Sequence, residues 1–171
     1  MTFFEKKGWC PSAFTPMMSG DGLIVRIKPS FSRLDAANLR DLAELSDRFG
    51  SGLLDLTSRA NLQVRGVSAE NYPELSKILL ASNLANANPR VDRLNLVLAP
   101  FTEVGSLGWR CAQQIYDTIS DLPDLPTKFG FCIDCGKQRY LANVSGDIHI
   151  EAMTSGAILL RCSGIEAGGI T

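Results

Sequence analysis

The chain reads as an α+β protein, and three observations support that reading. Strand and helix periodicities alternate as β-α-β-β-α-β within roughly the first hundred residues, an order that folds into an antiparallel sheet with two helices on one face. Past Pro100 the character changes to one helix and a series of short strands, as at the start of a second mixed unit. The composition, 45% hydrophobic and 20% charged over 171 residues, is that of a globular chain with enough apolar material for one solid core or two small ones.

In "DGLIVRIKP", Leu23, Val25 and Ile27 alternate as in a strand, which Pro29 closes. Ser32, three residues before Asp35, marks a helix start. Residues 33–49 follow, with Leu39, Leu42, Ala43 and Leu45 near helical spacing and Gly50 as the stop. "GLLDL" and "NLQVRGV" are the second and third strands. Ser68 caps a second helix running to about residue 83, with Pro73 early enough in it to be tolerated. The loop "ANANPR" leads to the fourth strand, "LNLVLAP". Residues 1–100 are thus expected to form a ferredoxin-like half-domain with an amino-terminal arm, "WCPSAFTPMM", anchored by Trp9 and Phe14. Beyond it, "GWRCAQQIYDTISDL" is a helix and "DLPDLPTK" a proline-punctuated loop, with short strands at "FGFCID", "RYLANV", "DIHIEA" and "AILLRC". The glycine-rich "GIEAGGIT" has no helix to close it, so residues 101–171 are expected to begin a second α+β domain that is cut short.

Seventeen basic against eighteen acidic residues give a formal charge of -1, so no global field attracts nucleic acid or anionic lipid. The start has no apolar signal-like core, and no apolar run approaches a membrane span; a cytoplasmic protein with neither membrane nor nucleic-acid partners is expected. Five dispersed cysteines favour reduced thiols over a disulfide framework. With His149 as the only histidine, a multi-histidine metal site is excluded, and a Ser-His-Asp hydrolase would have to be built around that one residue. "CIDC" (Cys132, Cys135) lacks a second pair of soft ligands for zinc and lies in a strand pattern, so its thiols are read as packing groups, as is Cys10.

The most informative stretch is "LTSRANLQVRG", a strand, short loop and strand. Leu62 and Val64 share the side that faces the helices, which leaves Gln63 and Arg65 on the open face and Arg59 in the loop at its edge. Such residues are either a solvated face or a grip on an anion. The segment resembles the nitrite/sulfite reductase superfamily, whose T-(T/S)-R-x-x-x-Q hairpin is matched by Thr57, Ser58, Arg59 and Gln63. Within it the chain is most similar to the precorrin-3B synthase branch. That branch's C-P-x-x-x-x-P-M-x-(S/T)-G-D-G-L segment is matched by Cys10, Pro11, Pro16, Met17, Gly20, Asp21, Gly22 and Leu23, and its hairpin by Ser58 to Gly66.

The resemblance implies an oxygen-dependent oxidoreductase, a monooxygenase of aerobic cobalamin biosynthesis. It also implies a [4Fe-4S] cluster with non-haem iron, or sirohaem in the reducing relatives, in the full-length family. The ligands are tetrapyrroles bearing several carboxylates, which a guanidinium fork suits bidentately. Arg59, Gln63, Arg65, Lys128, Ser58 and Asn61 are the expected tetrapyrrole contacts. Two departures point away from sirohaem-dependent reduction: Thr127 stands where the reductases have an arginine, and Leu94 precedes the fourth-strand asparagine where they again have arginine. The family's cluster cysteines, C-x5-C and C-x3-C, have no match, so no metal ligand is expected within this chain. Catalysis is then expected to need a missing carboxy-terminal half or an electron donor. The alternatives are a fragment of a sirohaem-dependent reductase and a non-catalytic tetrapyrrole-binding module.

Overall fold

The computed structural model describes residues 11–162. Trp9, Cys10 and the "GIEAGGIT" segment, on which expectations about the arm and the truncated end fall, lie outside the described residues.

The first sheet holds β1 (Met17–Ser19), β2 (Gly22–Ile27), β3 (Leu54–Leu56) and β4 (Leu62–Val67) in the order β1-β2-β4-β3, all antiparallel. Two helices, α1 (Ala36–Phe49) and α2 (Tyr72–Ala81), bury Leu42, Leu45, Phe49, Leu75 and Leu79 in one core with Val25, Ile27, Leu62, Val64 and Val67. The alternation read from the hairpin holds there: Leu62 and Val64 are in the core. Both Val64 and Val67 are buried, although an unbroken strand would place positions three apart on opposite faces. A bulge resolves this, since Leu23 pairs with Val67 but Val25 with Val64. Gly66 makes it possible at φ 67°, where a Cβ would come within 2.7 Å of the Ser51 Cβ.

The second sheet runs β5-β6-β7-β8, formed by Asn95–Leu98, Gly130–Asp134, Ile148–Ala152 and Ile158–Cys162. β5, β6 and β7 are parallel, and β8 is antiparallel to β7. Between α2 and β5 lies α3 (Pro89–Arg93), and α4 (Leu107–Thr118) crosses from β5 to β6. Leu96, Leu98, Phe131 and Ile133 pack with Ala112 of α4 in a second core. The architecture is the mixed α+β fold expected.

Three local expectations are corrected. The fourth strand of the β-α-β-β-α-β order does not join the first sheet: β5 pairs with β6, and all four of its residues are buried, as suits a strand covered on both faces. "RYLANV" is a loop, because the Asp134 carboxylate takes the Tyr140 and Leu141 amides at 2.6 and 2.8 Å and withdraws them from any ladder. Ser32 does not cap α1; Asp35 does, accepting from the Asn38 amide at 2.7 Å. Ser32 instead serves the free edge of β5. Its hydroxyl donates to the Leu96 carbonyl and accepts from the Leu98 amide, each at 3.1 Å, standing in for a neighbouring strand. Sequence reading also passed over β1 and over α3, where Asn88 accepts from the Arg90 amide ahead of Pro89 at the first helical position.

Further bonds join the two sheets. Lys28 Nζ donates to the Arg93 carbonyl at 2.9 Å and to Asn95 Oδ1 at 3.0 Å, and the Phe31 amide donates to the Tyr116 hydroxyl at 3.1 Å. Phe31 stacks on Trp109 of α4 with ring centroids 3.9 Å apart.

Candidate functional site

The loop between β3 and β4 is held by its own backbone. Thr57 N donates to the Asn61 carbonyl at 2.9 Å and Ala60 N to the Thr57 carbonyl at 3.1 Å. The Thr57 hydroxyl takes the Asn61 amide, and Ala60 turns the chain at φ 53°. Arg59 leaves this loop half-buried, and its Nη1 donates to the Lys128 carbonyl at 3.3 Å. Two basic residues 69 positions apart are thereby placed side by side, one at the rim of the first sheet and one at the entry to β6. Ser58 is exposed in the same loop. Asn61 is buried at 5% exposure, and its Nδ2 finds no hydrogen-bond partner among the described residues.

Gln63 and Arg65 share the face opposite the helices, but neighbouring side chains occupy both. The hydrogen-bonding pattern turns the Gln63 amide oxygen toward Arg26, from which it accepts at 2.7 and 3.2 Å. Arg65 sets its fork on Asp21, with Nη2 at 2.9 Å and Nε at 3.1 Å, and adds Asp55 at 3.3 Å. The Arg65 hydrogen bond holds the Asp21 carboxyl below its ordinary value. In sequence, Asp21 reads only as a turn residue between two glycines. Its second role follows from the β1–β2 turn lying beside Arg65.

On the second sheet the face away from α4 carries Cys132, Asp134, His149 and Glu151. Burial pushes the Cys132 thiol up, against the pull of the Arg59 and Arg161 guanidinium groups. Burial, reinforced by Arg161, lowers His149 and favours the neutral imidazole. Glu151, 3% exposed, binds Arg161 at 2.7 Å and also pairs with Arg139. A buried carboxylate thus orients two half-exposed guanidinium groups next to the Cys132–His149 cross-strand pair, and Arg59 acts on the same thiol. Arg139, His149, Glu151 and Arg161 were missed as site residues. The available signal was the alternation in "DIHIEA", which sets a histidine and a glutamate on one side of the strand.

Among the described residues no group of three or more His, Cys, Asp or Glu side chains is placed to hold a metal ion, and no helix is long and apolar enough to cross a membrane. A cluster needs its thiolates to converge, whereas Cys132 lies on the opposite face of β6 from Cys111 and Cys135. The described cysteines do not fit an iron–sulfur cluster.

Residues 15–82 match the nitrite/sulfite reductase ferredoxin-like half domain, the segment that contains the first sheet and both of its helices. The first sheet and its two helices are therefore similar to that half domain. It is similar to precorrin-3B synthase of Sinorhizobium sp, with 30% identity over 157 residues covering 88% of this chain and 33% of the relative. It is also similar to ferredoxin–nitrite reductase of Leptolyngbya laminosa, 29% identical over 88% of this chain and 32% of that protein. A sulfite reductase [ferredoxin] of Mycolicibacterium paratuberculosis is 28% identical over 62% of this chain and 20% of its own length. The chain therefore spans at most about a third of these curated relatives.

Proposed function

We propose that this chain forms part of the tetrapyrrole-binding surface of a precorrin-3B synthase-like oxidoreductase of corrin biosynthesis. The first sheet with α1 and α2 acts as the half-domain, and the second sheet, from β5 onward, forms the other side of the binding cleft. The observation that supports this best is the meeting of Arg59 and Lys128 across the two sheets, beside the Cys132 thiol and the Arg161 guanidinium. Two guanidinium groups acting on one thiol, with Lys128 alongside in the chain, suit a macrocycle bearing several carboxylates, and a fork can take both oxygens of one of them.

In this reading Arg59 is the primary carboxylate contact and Lys128 a second point charge. Arg65 is a positioning residue, because its fork already holds Asp21 and Asp55 and ties the β1–β2 turn to β4. Gln63 plays the same part for Arg26. Iron–sulfur or sirohaem chemistry would be supplied from outside residues 11–162, together with an electron donor. The similarity to a nitrite reductase leaves a reductase fragment as the second reading. Thr127 and Leu94, which stand where the reductases carry arginine, weigh against it.

The test is titration of uroporphyrin, an octacarboxylate, against the wild type, Arg59→Lys, Arg59→Ala and Arg65→Ala. Loss of a charge-assisted contact is worth roughly 1.5–3 kcal/mol, about a ten- to hundred-fold weakening. Arg59→Lys keeps the charge but loses the fork, so it should recover only part of that affinity. Equal affinities for wild type and both Arg59 variants would end this reading.

A further inference from the structure

"CIDC" looks like a reactive pair in sequence, but the fold separates its two thiols. Cys132 lies within β6 and packs with Val97, Ala99 and Leu141 on the sheet face away from α4. Cys135, just past the strand, packs on the opposite side, in the core that α4 covers. Residues three apart in an extended strand point to opposite faces, so the strand itself holds these sulfurs apart.

Cys135 has another neighbour. Cys111 is one turn into α4, belongs to the same core and acts electrostatically on the Cys135 thiol, whose S–H donates to the Ile150 carbonyl at 3.7 Å. The helix comes close here: a Cβ on Gly108, three residues before Cys111, would lie 3.4 Å from the Cys135 Cβ. A side chain at 108 would push α4 away from the strand end. Both thiols are partly exposed. Cys135 also lines a cavity of about 690 Å³ at the carboxy-terminal ends of β5 and β6, whose walls include Phe101, Ser106, Lys137 and Tyr140. A small oxidant can reach Cys135 from that cavity.

We propose that Cys111 and Cys135 form a reversible dithiol–disulfide pair that locks the first turns of α4 to the end of β6. The oxidant class is a low-molecular-weight disulfide such as oxidised glutathione. The Cys135 thiol, which lines the cavity, loses its proton, and its thiolate attacks one sulfur of the oxidant and releases one glutathione thiolate. The Cys111 thiol loses its proton in turn and attacks the Cys135 sulfur of the mixed disulfide, releasing the second glutathione. Two protein thiols and one disulfide become one protein disulfide and two small thiols. Burial raises both thiols and, with Cys111 and Asp134 beside it, pushes Cys135 up to about 11, so the first step is slow at neutral pH and quickens in alkali. The lock forms in response to sustained oxidation rather than as a standing structural bond.

The experiment uses the full chain, reduced, freed of reductant and incubated with oxidised glutathione at pH 7 and pH 8.5. Free thiols are then alkylated and tryptic peptides mapped by mass. The proposal expects the peptide beginning at Cys111 to be joined to the peptide holding Cys132 and Cys135, two hydrogens lighter than their sum, with Cys132 alkylated. The yield should rise faster at pH 8.5, and the oxidised chain should melt roughly 5 °C or more above the reduced one. Cys132→Ser and Cys162→Ser should keep the link, while Cys111→Ser should abolish it. A Cys132–Cys135 disulfide, a reaction that stops at glutathione adducts, or thiols that all remain alkylatable would each overturn the proposal on the wild-type chain, whatever the stability of any variant.

Discussion

Ser32→Ala removes one hydroxyl and, by the geometry, two backbone hydrogen bonds on another element. The Leu98 amide and the Leu96 carbonyl both lose their partner at 3.1 Å, and their residues are 4% and 7% exposed. A buried backbone group left unsatisfied costs about 1–3 kcal/mol. Ser32 is itself only half-buried, so water can enter the vacated space and serve part of the demand. The expected loss is therefore about 1–3 kcal/mol in all, or roughly 2–10 °C in melting temperature for a chain of this size. Strain contributes little to the difference, since serine and alanine share the penalty of the φ 54° conformation there. Urea unfolding supplies the free energy, and amide hydrogen exchange locates it: the Leu98 amide should exchange faster while those of β4 are unchanged. A loss below about 0.5 kcal/mol with Leu98 protection intact would show that the hydroxyl does not serve the β5 edge. Ser30→Ala, in the same turn, is the control.

Asp35→Ala should cost α1 about 1 kcal/mol by removing the 2.7 Å bond to the Asn38 amide, read as a lower urea midpoint at unchanged slope. Asp92 and Asp21 should give acid dependences of opposite sign. Burial raises Asp92 above 3.8, so the folded state holds that proton more tightly and the cost of its charge appears as pH rises through the folded value; Asp92→Asn should gain on wild type across that window, and a flat difference would refute it. Asp21 is lowered by Arg65, so its contribution is present above 3.8 and disappears as pH falls through the folded value; Asp21→Asn should flatten that acid limb in urea titrations.

The sequence by itself determined what depends on near neighbours along the chain. The alternation of Leu62, Gln63, Val64 and Arg65, the stop at Gly50 and the tight β3–β4 loop follow from side-chain period and turn chemistry, which need no distant partner. The α+β class and the matched hairpin were legible for the same reason. The tertiary structure decided what depends on choosing between distant surfaces. Buried on both faces, β5 pairs with β6, and the hydroxyl that a local rule assigns to the start of α1 serves its open edge instead. The candidate site divides the same way. Arg59 and Arg65 were visible as guanidinium groups, but no local pattern says that one reaches Lys128 while Asp21 and Asp55 claim the other. The cysteines show it most directly: two thiols three residues apart are held on opposite faces of a sheet, and two from separate elements meet in one core. Burial and ion pairing act through space, so residues far apart in the chain settle these contacts once the elements have docked.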